Sequence, residues 1–222
     1  MCGRFNLTTD SRQVAHTLQA RLPAAANDRV RLPNYNIAPT QTILTATQID
    51  ERVLRALRWG LTPSWVRNPR SSPGIINARA EGLQTKPAFQ NAFRVRRCLI
   101  PATGIYEWTG NRSPKQPWHI HRADGELLVM AGLWEPHAIL GDTCTIVTCR
   151  PSIWMSKYHN RMPVVLEPEN WSLWLDVTTT REKLKSLLVA ADEEALAAYP
   201  VSPSVNSPKN NRPDILDRAQ PE

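Results

Sequence analysis

Apolar positions recur along this chain first with a helical spacing, then with a strand-like one, and then helically again. Near the start, Val14, Leu18 and Leu22 fall four residues apart behind Asp10 and Ser11, either of which can cap a helix, so a helix with one buried face is predicted there. The middle of the chain breaks into short runs rich in apolar, β-branched and aromatic residues. Residues 41–47 and 53–59 read as a hairpin around 48–52, and 97–101, 105–108, 117–121, 127–133 and 143–149 read as further strands. Gly110-Asn111 and Asp124-Gly125 supply turns between them. Helical spacing returns at 152–158, 168–175 and 180–190. Strands cluster centrally without a repeat or a βαβ rhythm. The pattern predicts one α+β domain on antiparallel sheet, with helices between and after the strands.

Composition narrows the class. A chain of 222 residues with 41% hydrophobic content can bury a full core. Its longest useful apolar run, 127–134, is too short to cross a bilayer, and the N-terminus lacks the basic and apolar segments of a signal peptide. No membrane association is expected, and the cytoplasm is the expected location, nucleoid-associated in a bacterium. Nineteen prolines fall mainly in connections, and the last stretch, 201–222, is rich in Pro, Asn and Ser. Residues 212–222 are therefore expected to form a disordered tail. The four cysteines, at 2, 98, 144 and 149, form no C-x-x-C pair, and no His/Cys cluster has zinc-like spacing. No metal or cofactor is expected, and Cys98, Cys144 and Cys149 read as core thiols.

Charge changes the picture. Lys and Arg number 27 against 20 Asp and Glu, a formal +7, which favours a polyanionic partner. Several of the eight tryptophans sit beside arginines, as in Arg58-Trp59 and Trp65-Val66-Arg67. Cations for phosphates and flat rings for unstacked bases are what a single-strand binder needs. Tryptophans also fill cores, which is expected of at least half of them.

Four segments look built for chemistry. Removal of Met1 would leave Cys2 carrying a primary amine and a thiol on adjacent carbons. An aldehyde condenses with such an amine to a Schiff base, and the thiol then closes a five-membered thiazolidine. With ordinary pKa values of about 8 for the amine and about 8.5 for the thiol, modest tuning makes both reactive at neutral pH. The same residue can equally be a surface thiol at a frayed end. Asn77, Arg79 and Glu81 alternate, so an extended segment would point all three one way. Glu107 is a lone acid in an apolar aromatic strand, suited to a proton-transfer role if kept partly protonated, or else a structural carboxylate paired with arginine. His159 lies two residues from Arg161. His119 and His121 alternate along a strand and need one side solvated, so both read as ordinary surface or core residues; His16 and His137 have no chemical neighbours of note.

Together MCGRF, YNIAPTQ, RWGLTPSW, NARAE, RRCLIPATGIYEW and HNRMPVVL resemble, in order, the SRAP family of SOS response-associated peptidases, understood as abasic-site processing proteins. The resemblance covers residues 1 to about 211. It implies a single, monomeric domain of barrel-like antiparallel sheets with a basic channel for single-stranded DNA containing abasic sites, and a covalent crosslink from mature Cys2 to the opened sugar. It further implies that Asn77 hydrogen-bonds that sugar, that Glu107 is the acid/base, and that His159 assists Schiff-base formation or reversal. Arg4, Arg79 and Arg161 match phosphate-contacting positions, Trp65 a stacking aromatic, and Asn36 and Pro39 the channel wall. Val66 departs from the pattern, since the family often carries a second aromatic after that tryptophan. Two other readings stay open at this point. One is an N-terminal-nucleophile thiol hydrolase, acting as peptidase or amidotransferase or removing its own Met1. The other is a non-catalytic single-stranded DNA binder.

Overall fold

The computed structural model describes residues 2–110 and 115–219. A five-stranded antiparallel sheet runs in the order β12 (Leu196–Pro200), β8 (Gln116–Arg122), β7 (Gly104–Thr109), β1 (Phe5–Leu7), β2 (Asn34–Ile37). A seven-stranded sheet contains β3 (Thr42–Gln48), β4 (Arg52–Trp59), β6 (Arg97–Ala102), β9 (Leu128–His137) and β10 (Gly141–Cys149). Because β9 pairs with both β6 and β10, these five strands close into a barrel. Closure removes the open edges that a flat sheet would expose.

The last strand of that ring organises the site. The first half of β10 lies between β9 and β4, whereas its second half holds the short β5 (Asn77–Arg79) on one side and β11 (Met162–Pro163) on the other. Ile146 faces Asn77, Thr148 faces Arg79 and Cys149 faces Met162. Segments some eighty residues apart in sequence thus meet through one strand. The pairings of β10 with β4 and β5 are parallel, which short antiparallel hairpins do not predict.

Helices cover the barrel. In α5 (Pro168–Leu175), which matches its predicted bounds, Trp171, Trp174 and Leu175 bury one face. In α3 (Pro87–Val95), Phe89, Ala92 and Phe93 do the same. Arg97 is buried between these two helices and donates to the carbonyls of Phe93, Arg94, Trp174 and Asp176, satisfying carbonyls left open where both helices end. The expected first helix is α1 (Ser11–Thr17), capped by the Asp10 carboxylate; Val14 and Leu18 are buried, but Leu22 lies beyond the helix end.

Several expectations need correcting. The short strands β1, β2, β5 and β12, and helices α2 (Ala24–Arg29) and α3, were not predicted; α4 (Ile153–Ser156) and α6 (Arg181–Ser186) are shorter than the periodicity suggests. Residues 212–219, expected to be disordered, are packed: Ile215 is fully buried in a second small core with Tyr106, Val201 and Val205, and Ala219 donates to Pro200. One buried isoleucine anchors what composition reads as a polar tail. Of the Gly110-Asn111 turn, Asn111 lies outside the described residues, as do 220–222. Trp59, Trp171 and Trp174 are buried, each indole donating to a backbone carbonyl, while Trp65 is exposed and the other four are half-buried, fewer core tryptophans than expected. Cys98, Cys144 and Cys149 are core thiols, as read from the sequence.

Candidate active site

Cys2 enters the five-stranded sheet just ahead of β1. Phe5 faces Ile105 across the β1–β7 pair, and the Tyr106 N–H donates to the Arg4 carbonyl at 2.9 Å, so the antiparallel register carries the chain start along β7 toward Glu107. From the other sheet, Asn77 Nδ2 donates to the Cys2 carbonyl at 2.9 Å. This bond holds Cys2 against the seam between the two sheets. Asn77 Oδ1 is buried and has no hydrogen-bond partner among the described residues.

Burial sets the electrostatics. The Cys2 thiol is fully buried, and desolvation pushes its pKa far up, with the Glu107 carboxylate adding to the rise. Glu107 is 3% exposed, and burial raises its pKa to about 7. No arginine is among the groups that shift this carboxyl.

Beside β5 opens a polar cleft of about 640 Å³ lined by Arg79, Glu81, Arg150, His159, Asn160 and Arg161. Arg79 and Arg150 are exposed. The Arg161 guanidinium is not: it forks onto both Glu81 carboxylate oxygens at 2.7 and 2.9 Å and donates to the Thr148 carbonyl at 2.6 Å. His159 lies in the same loop, and burial lowers its pKa. The expected alternation of Asn77, Arg79 and Glu81 stops early, because β5 ends at Arg79 and Glu81 sits in a single 3₁₀ turn. Glu81 nonetheless reaches the cleft.

The remaining predicted residues divide. Arg4 donates to Asn36 Oδ1 at 2.7 Å and to the Val205 carbonyl at 2.9 Å. Asn36 is buried and its amide donates to the carbonyls of Val205, Ser207 and Asn210. Both residues clasp the C-terminal segment, and neither lines the cleft. Pro39 is half-buried beyond β2 and is also outside it. Trp65 is 61% exposed on the loop after β4. That loop is pinned by His137, whose Nδ1 accepts from the N–H groups of Ile139 and Leu140, so that its Nε2 must be the protonated nitrogen that donates to the Val66 carbonyl at 3.0 Å. Sequence reasoning assigned His137 nothing and did not consider Arg150 or Asn160; position relative to a motif is the only signal that could have marked the last two. His119, read as an ordinary surface or core residue, is buried, with Asn6 Nδ2 bridging its Nε2 and the Tyr106 hydroxyl.

A larger hollow of about 840 Å³ between α2 and the β3–β4 hairpin contains none of these candidate residues. Among the described residues no group of three or more His, Cys, Asp or Glu could hold a metal ion, and no helix is long and apolar enough to cross a membrane.

The family model described as SOS response associated peptidase (SRAP) matches residues 1–208, which include every candidate residue above. The chain belongs to the SRAP family. Among its relatives are the abasic site processing protein YoqW of Bacillus subtilis, 38% identical over 98% of this chain and 99% of that protein, and YedK of Escherichia coli, 28% identical over 97% and 99%. HMCES of Xenopus tropicalis is 34% identical over 83% of this chain but only 65% of its own length. In fold, the chain resembles a solved protein of Bacteroides thetaiotaomicron with a TM-score of 0.87 at 24% identity, covering 99% of this chain and all of that one. The chain's own segments NARAE and HNRMP are the two that β10 brings together.

Proposed function

We propose that this chain recognises abasic sites in single-stranded DNA and captures them covalently through Cys2 once Met1 has been removed, shielding the lesion from strand cleavage. Its relatives are named abasic site processing proteins, which supports the substrate class. The observation that carries the chemistry is the placement of Cys2 between the Asn77 amide and the buried Glu107 carboxyl.

An abasic sugar is mainly a closed hemiacetal. Glu107, holding a proton up to about pH 7, supplies the acid/base group that opens it to the aldehyde. The Cys2 amine then adds to the aldehyde carbon to give a carbinolamine. Proton transfer from Glu107 to the hydroxyl releases water and leaves a protonated imine, whose nitrogen returns a proton to Glu107 to give the imine. The thiol adds to the imine carbon, its proton ends on the nitrogen, and the thiazolidine closes. Ring closure removes the imine that β-elimination of the strand requires, so the thiol diverts a strand-cleaving intermediate into a stable adduct.

Asn77 Oδ1 offers an acceptor for the opened sugar's hydroxyl. Arg79 and Arg150 are the exposed cleft cations best placed for phosphates, and Trp65 for stacking on a base. Phosphate contacts read no sequence, so binding should be sequence-independent and fall with salt. A thiol hydrolase is less well supported, because burial keeps the Cys2 thiol protonated, whereas the crosslinking route begins with the amine.

The test is a denaturing gel of Met1-processed protein mixed with single-stranded DNA bearing one abasic site. A heat-resistant shifted band is expected only when the lesion and Cys2 are both present. Equal adduct yields from Cys2→Ser and the parent would sink the thiazolidine route, and release of ammonia from glutamine would revive the hydrolase.

A further inference from the structure

Glu81 lies two residues past the end of β5, touches no expected reacting atom and yet makes the most exacting contact in the cleft. Its carboxylate receives both arms of the Arg161 fork, and the same guanidinium is tied to the Thr148 carbonyl on β10. A bidentate pair of this kind fixes orientation as well as distance. Arg161 is therefore held from two directions, by β10 and by the turn after β5. Its backbone is held with it, and that backbone N–H donates to Nδ1 of His159 at 3.0 Å. A ring nitrogen that accepts a hydrogen bond carries no proton, so the neutral imidazole must carry its proton on Nε2.

We propose that Glu81 is a positioning residue: through the Arg161 fork it holds the Arg161 N–H on His159 Nδ1 and makes His159 act as an Nε2–H hydrogen-bond donor rather than as a base. The inference deepens the crosslinking reading and rests on it for its catalytic consequence. For His159 to accept a proton, Nδ1 would have to release the Arg161 N–H. In the capture reaction this leaves proton transfer to Glu107, while His159 steadies an oxygen of the opening sugar or the carbinolamine without exchanging its own proton. The charged groups near His159 are Arg79 and Glu81 from β5 and its turn, Arg150 beyond β10, Arg161 on its own loop, and Lys115. Of these, Glu81 is the one bonded to the residue that occupies Nδ1.

Nitrogen-15 NMR of the full chain labelled at histidine reads the tautomer and titration of His159 without DNA. The parent should show His159 protonated at Nε2, with a titration below that of an ordinary imidazole. Glu81→Gln, which removes one acceptor of the fork, should give a mixed tautomer and a roughly tenfold slower adduct formation. Arg161→Lys, which keeps the charge but cannot fork, should act in the same direction. Glu51→Gln breaks the exposed Arg21–Glu51 pair elsewhere and should change none of these. An unchanged His159 tautomer in Glu81→Gln would overturn the proposal, as would a changed tautomer with the parent rate of adduct formation. Should the processed parent form no adduct at all, the function proposed above fails, and the tautomer alone decides the clamp.

Discussion

The polar cleft and the C-terminal clasp are both built around an arginine that the family resemblance assigns to phosphate, and they use it differently from an open binding groove. In the clasp, Arg4 and Asn36 spend their polar atoms on each other and on the carbonyls of residues 205–210. In the cleft, Arg161 spends its fork on Glu81 and Thr148, while Arg79 and Arg150 remain exposed. Arginines of one motif set therefore separate into those that hold the protein together and those that can meet a ligand. The separation follows from where each donor finds an acceptor. A half-buried guanidinium turns its terminal N–H groups to internal acceptors, although the Nε atoms of Arg4 and Arg161 have no partner among the described residues, whereas an exposed one leaves them to solvent and to whatever anion displaces it.

The comparison breaks most readily at Asn36. Asn36→Ala removes the acceptor for Arg4 and the donors to three carbonyls in a buried position, and should cost about 2–4 kcal/mol in a urea melt. A loss below 1 kcal/mol, with DNA binding reduced instead, would move Asn36 from the clasp to the channel wall.

Glu107 comes next, because its effect carries a sign. Its folded pKa of about 7 lies above the ordinary 4.5, so the folded chain holds the proton more tightly than the unfolded one. Stability is therefore lost as pH rises from about 4.5 through 7, by up to about 3 kcal/mol at the upper end. Glu107→Gln should flatten that part of the stability curve and, in the same protein, abolish the pH optimum for adduct formation. A parallel fall of parent and variant across this window would show that the carboxyl is not buried as described.

On the exposed side the expected effects are smaller and lie in binding rather than stability. Trp65→Ala should weaken binding to single-stranded DNA by about 1–3 kcal/mol if a base stacks there, measured by fluorescence anisotropy, with thermal stability unchanged. Arg79→Ala and Arg150→Ala should each lower the slope of log affinity against log salt by about one, again without a stability cost. If Arg4→Ala gave the same salt signature and an unaltered melt, the distinction between clasp and cleft would collapse.

How far the sequence led is clearest from particular elements. The β3–β4 hairpin, α5 and the strands from 97 to 149 were legible because each carries enough residues for its hydrophobic period to show. The strands β1, β5 and β11 have three residues or fewer, too few for any period, and β5 and β11 exist through what β10 offers them. The tail misled because Pro, Asn and Ser dominate its composition, while the contact that orders it depends on Ile215 finding Tyr106 and Val205. At the site, Cys2, Asn77, Glu107 and His159 stood out as residue types suited to the chemistry, and Arg150 did not, since one arginine among many carries no mark.

By itself, then, the sequence determined local matters: the longer strands and helices, a thiol and a potential amine on adjacent carbons, the basic surplus, and the family. The tertiary structure alone decided which groups meet and in what state. Asn77 reaches Cys2 across 75 residues, Glu107 keeps its proton to about pH 7 because neighbours exclude water, and Arg161 turns inward because Glu81 and Thr148 are there to accept it. Periodicity and covalent adjacency are properties of nearby residues, whereas desolvation and hydrogen-bond satisfaction are fixed by atoms that only folding brings into contact.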